Sequence, residues 1–70
     1  MKLVKFIESI ELQRFKMGMG VVEFAHYLGM HYHTYNSFRK QRRVTQPKAW
    51  KVILEFAESK GIDTDDIELN

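Results

Sequence analysis

Residues 21 to 40 read Val21-Val-Glu-Phe-Ala-His-Tyr-Leu-Gly-Met-His-Tyr-His-Thr-Tyr-Asn-Ser-Phe-Arg-Lys40, and the architecture turns on them. Phe24 and Leu28 are four apart and share one face of a helix. Ala25 sits beside them, small enough to admit a close neighbour. Gly29 can adopt the left-handed backbone that stops a helix and redirects the chain. Tyr35 and Phe38 are three apart, so a second helix can turn both rings toward the first. What is left outside on that second helix is polar, and it ends in the cations Arg39 and Lys40. Two short helices joined at a glycine, the second with a free polar face, have the form of a helix-turn-helix, whose second helix can enter the major groove of duplex DNA.

Working outward, Leu3, Phe6, Ile7 and Ile10, with Phe15 at the end of the series, predict a first helix over residues 3–16. Gly18-Met19-Gly20 breaks it. Helix two is expected from about Val21 to Leu28, and helix three from about His31 to Lys40 or Gln41. A basic loop over residues 41–46 leads to Pro47, which suits the first turn of a fourth helix because its missing N–H is not needed there. Ala49, Trp50, Ile53, Leu54 and Ala57 form the apolar stripe of that helix, and Gly61 can end it. Asp63 or Thr64 is expected to start a short fifth helix ending near Leu69, with Asp65 and Asp66 favourable at its N-terminal dipole. Lys2-Leu3-Val4-Lys5-Phe6-Ile7 is β-compatible, but the helical pattern around it outweighs that. The expected fold is all-α, a compact five-helix domain spanning residues 1–70.

Seventy residues suit one domain with a small core. The absence of cysteine excludes disulfides and Cys-based zinc or redox sites. There is no apolar run of membrane-spanning length, and Glu8 and Glu11 interrupt the region where a signal peptide would stay apolar. A soluble protein of a reducing cytoplasm is expected. The net charge is only +2, but its distribution is uneven. Arg39, Lys40, Arg42, Arg43, Lys48 and Lys51 fall together with no acid among them. Glu55, Glu58, Asp63, Asp65, Asp66 and Glu68 follow, against Lys60 alone. The middle of the chain therefore suits a polyanion and the tail does not.

Other chemistry finds little support. No Ser/His/acid spacing points to catalysis, and Gly18 and Gly20 lack the Lys-Ser/Thr of a phosphate loop, so no enzyme and no cofactor are expected. His31 and His33 are two apart, which on a helix sends them to different faces, and neither thiol nor carboxylate completes a metal set with His26. Trp50 is expected in the core rather than as a stacking platform.

Residues 10–69 resemble the lambda-repressor-like, Cro-type helix-turn-helix family of phage and bacterial regulators. Ala25 and Gly29 match the family's alanine in helix two and the glycine four residues on; Phe24, Leu28 and Met30 match the apolar positions around them. Tyr35 and Phe38 match those of the recognition helix. Pro47 and Gly61-Ile62 match the residues that bracket the fourth helix, and Arg14 matches an arginine near the end of the first. Some positions depart. Val21 stands where many members have glutamine, and His31 replaces the hydroxyl cap of helix three. Arg39 stands where many have the glutamate that pairs with the helix-one arginine, so Glu8 or Glu11 is expected to neutralise Arg39 or Arg14 instead. Tyr35 is larger than the usual aliphatic residue, implying altered packing between the helices.

The resemblance implies base contacts from Tyr32, His33, Asn36 and Ser37. The chemistry agrees, since Asn36 can pair bidentately with adenine and Ser37 can donate or accept. His31, Arg39, Lys40, Arg42, Arg43, Thr45 and Lys48 suit DNA phosphates, which fix register without reading sequence. The implied function is a sequence-specific, double-stranded DNA-binding transcriptional regulator. It would be a repressor acting as a homodimer on a palindromic operator, in a phage or mobile-element setting, with no small-molecule substrate and no membrane partner. Ile62, Ile67 and Leu69, with Val52 or Phe56, are candidates for the dimer surface; the alternative is that they close the monomer's own core. Two other classes stay open: a phage excision or recombination factor binding direct repeats, and a protein-interaction module on the same fold.

Overall fold

Among the described residues, three helices stop in the same way. α1 (Leu3–Lys16), α2 (Val21–Leu28) and α4 (Pro47–Ser59) each run into a glycine at positive φ: Gly18 at 70°, Gly29 at 79° and Gly61 at 75°. After each, the next N–H reaches back five residues, as in Met19 to Arg14 (3.2 Å), Met30 to Ala25 (2.9 Å) and Ile62 to Ala57 (2.9 Å). This closure satisfies helix-end carbonyls and throws the chain sideways. α3 (Tyr32–Gln41) follows α2 after only Gly29, Met30 and His31. The computed structural model describes residues 2–41, 46–65 and 67.

The helix starts are equally local. Glu23 Oε1 accepts the Gly20 N–H at 3.3 Å, one half of a capping box on α2. Pro47 occupies the first turn of α4. α3 begins one residue later than expected, because His31 stays outside the helix and caps it. Its Nδ1 accepts the backbone N–H of His33 at 3.2 Å. The imidazole thus does what serine or aspartate usually does at this position.

Among the described residues the fold is all-α with four helices, not the expected five. Ile62–Asp65 and Ile67 are not helical, and Asp66 and Glu68–Asn70 lie outside the described residues. Asp63 Oδ1 accepts the Asp65 N–H at 2.9 Å. The aspartate that could have capped a helix closes a local turn instead, an alternative always open to Asp.

A chain of aromatic rings, begun by the half-buried Trp50 and continued through the core, ties the four described helices together. Trp50 meets Phe6 edge-on at 5.6 Å between centroids, Phe6 meets Phe38 at 6.2 Å, and Phe38 lies 5.8 Å from Tyr35. Tyr35 meets Phe24 at 5.2 Å, and Phe24 meets Phe56 at 5.2 Å, both edge-on. Such contacts add about 0.5–1.5 kcal/mol each to the burial itself. Leu3, Ile7, Ile10, Ala25, Leu28, Ile53 and Ala57 fill the space between them. The radius of gyration, 10.9 Å, matches the roughly 11 Å of a compact domain of this length.

Two expectations about apolar residues are corrected. Phe56 is buried in this core rather than free for a dimer; Val52, Ile62 and Ile67 pack against the core but stay partly exposed, and Leu69 lies outside the described residues. Phe15 does not continue the α1 stripe. Five residues past Ile10, it stands about 140° around the helix, and it is 68% exposed with the Arg14 guanidinium 4.4 Å above its ring. Leu12, Val22 and Tyr27 are also exposed. No helix among the described residues is long and apolar enough to cross a membrane.

Candidate nucleic-acid interface

α3 has one apolar face and one polar face. Tyr35 and Phe38 turn inward and are 0% and 2% exposed. Helical spacing then puts Tyr32, His33, Asn36, Ser37 and Lys40 on the opposite side. His33 and Lys40 are exposed; Tyr32, Asn36 and Ser37 are partly so. α3 contains no acidic residue, and Arg39 and Lys40 lie in its last turn, where cations suit the helix dipole.

The inward side is held by a polar hub on α1. Glu11 accepts two hydrogen bonds from Arg14, from Nε at 2.7 Å and Nη2 at 3.1 Å. It accepts a third from the Tyr35 hydroxyl at 2.6 Å. Arg39 Nη1 approaches the same carboxylate at 3.7 Å. Arg14, itself buried, completes its bonding by donating to the Met19 carbonyl at 2.9 Å. Burial alone would raise the Glu11 carboxyl, but the bonds from Arg14 and Tyr35 and the charges of Arg14 and Arg39 outweigh it, holding the group below the usual carboxylate range. Burial and the Glu11 carboxylate push the Tyr35 hydroxyl in the opposite direction, far above the usual tyrosine range. Glu11 therefore takes the neutralising role that had been open between Glu8 and Glu11. The large Tyr35 is accommodated because its hydroxyl finds an acceptor on α1.

Arg39 is less extended than a free phosphate-binding side chain. Its side chain is 25% exposed, Nη2 donates to Asn36 Oδ1 at 2.9 Å, and Nε is buried with no partner among the described residues. The Asn36–Arg39 contact was not anticipated from sequence. Its only signal was the i,i+3 spacing of an amide and a guanidinium on one helix.

The N-terminus of α3 differs from expectation too. His31 and His33 do not diverge; their rings stack at 5.0 Å and 19°. Residues two apart diverge only when both are helical, and His31 precedes the first turn of α3. Among the described residues, no group of three His, Cys, Asp or Glu side chains is placed to hold a metal. A groove of about 290 Å³ opens beside this end of α3, between the turn and the start of α4. Met30, Ala49 and Val52 line it together with His31, Thr34 and Lys48, so Lys48 is brought to the same end as His31. Arg42, Arg43 and Thr45, three of the expected phosphate contacts, lie outside the described residues. No protein-family model, curated protein or solved structure matches the chain.

Proposed function

We propose that the chain is a lambda-repressor-like helix-turn-helix domain that binds duplex DNA sequence-specifically and regulates transcription. It would act as a repressor in a bacterial cytoplasm or nucleoid, in a phage or mobile-element setting. The observation that carries the reading is the division of α3. Its apolar face is sealed by Tyr35 and Phe38 against α1 and α2, while an acid-free face of aromatic, imidazole, amide, hydroxyl and ammonium groups stays accessible. These are the groups that read base edges in the major groove. Lys40 and Lys48 flank them as phosphate partners, joined in sequence by Arg42 and Arg43. One copy spans too few bases for strong selection, so a homodimer on an inverted repeat follows, with half-sites about 34 Å apart.

Selection of bound duplexes from a random pool tests this. An inverted repeat with half-sites one turn apart is expected, bound with an affinity that falls steeply as salt rises. Direct repeats would favour the excision-factor reading. A pool with no enrichment would remove sequence-specific binding altogether.

A further inference from the structure

An arginine has five donors and no acceptor. The amide atom of Asn36 that faces Arg39 Nη2 at 2.9 Å is therefore its oxygen, and the amide nitrogen is turned away from it. Arg39 is itself held from behind. Its Nη1 lies 3.7 Å from Glu11, its Nε is buried, and Glu11 is fixed by Arg14 and Tyr35. A relay thus runs from the α1 carboxylate through Arg39 to an amide at the edge of the polar α3 face.

We propose that Arg39 is a positioning residue that turns the Asn36 amide donor-outward, so that Asn36 selects a base presenting two acceptors. This rests on the DNA-binding reading of α3. Guanine offers O6 and N7 as acceptors in the major groove. Adenine offers N7 but presents its N6 amino group as a donor, and reading it bidentately requires the amide oxygen, which Arg39 holds turned inward with one of its two lone pairs already engaged. Cytosine presents its N4 amino donor and is disfavoured for the same reason. The adenine pairing expected from Asn36 alone is thereby replaced by guanine. Arg39 acts through Asn36 rather than on phosphate.

The test is selection from a random duplex pool with four proteins: wild type, Asn36→Ala, Arg39→Met and Arg39→Lys, each checked for helix content by circular dichroism. Asn36→Ala identifies the base pair concerned, as the one position whose preference disappears. At that position the wild type is expected to choose guanine. Arg39→Met is expected to move the guanine-to-adenine preference toward adenine by about tenfold, the scale of one base-edge hydrogen-bond pair, and leave other positions unchanged. Arg39→Lys, which keeps a donor, is expected to retain guanine. A phosphate contact would instead weaken all sequences equally, and that result would overturn the proposal. So would wild-type selection of adenine or cytosine at the Asn36 position, which needs no Arg39 variant to fold. If the wild type enriches no sequence, the DNA-binding reading falls and this proposal with it. Enrichment with the wrong base at that position sinks the proposal alone.

Discussion

The hydroxyl of Tyr35, on α3, donates to Glu11 Oε2, on α1, across 2.6 Å. Tyr35 is fully buried and Glu11 partly so; because the acceptor is a carboxylate, the bond is charge-assisted, and it ties α3 to the helix behind it. Tyr35→Phe removes the donor and keeps the ring. Glu11 retains Arg14, so the expected loss is about 1–2 kcal/mol, in the range for a hydrogen bond to a charged group. Urea unfolding measures it; an unchanged midpoint would show that the hydroxyl contributes nothing to stability.

Acid should act through the same hub. The Glu11 carboxyl lies below its usual value of 4.5 in the folded chain, because Arg14, Tyr35 and Arg39 outweigh the effect of burial. A lowered carboxyl favours the folded state above the unfolded-chain value, and that contribution is lost as pH falls through the folded value. Glu11→Gln should therefore be less stable than wild type at pH 7, and the gap should narrow steadily below about pH 4.5. A gap that stays constant down to pH 2 would contradict the ionic role of Glu11.

The start of α3 depends on an imidazole acceptor. His31→Ala removes the bond to the His33 N–H and should cost about 0.5–1 kcal/mol, while His31→Asn should equal or exceed wild type, since asparagine is among the best residues at this position. Thermal melts of the three proteins give the order. Equal stability of wild type and His31→Ala would mean that the imidazole is not the cap.

Gly29 isolates the cost of backbone conformation. An added Cβ would meet nothing within 4 Å, but φ is +79°. Gly29→Ala should lose about 1–2 kcal/mol, the left-handed penalty for a side chain, and Gly29→Asn should lose less. A larger loss for Gly29→Asn than for Gly29→Ala would point to crowding rather than to φ.

Much of this arrangement is legible in the sequence, for local reasons. The ends of α1, α2 and α4 follow from Gly18, Gly29 and Gly61 and the start of α4 from Pro47, because these residues constrain the backbone wherever they stand. The inward turn of Tyr35 and Phe38 follows from their spacing. The fourth helix was harder to read. Its buried residues are Ala49, Ile53, Phe56 and Ala57, whereas an equally regular stripe through Trp50 and Leu54 runs beside them. Periodicity cannot choose between adjacent stripes on a helix that is apolar over a wide arc. The turn after Gly61 turned on whether Asp63 caps a helix or bonds two residues on, and both use the same carboxylate. The contact between Arg39 and Asn36 depends on side-chain rotamers set by Glu11, a residue far away in sequence, so no local pattern carries it.

The proposed function requires the outward face of α3 to meet DNA. Following backbone amide resonances by NMR as a duplex is added at low salt tests it most directly. The amides of Tyr32, His33, Asn36, Ser37 and Lys40 should shift together, while those of Glu55 and Glu58 on α4 stay in place. Shifts that cluster on α4 or on the exposed side of α1 around Leu12 and Phe15, or no shifts at saturating duplex, would contradict it.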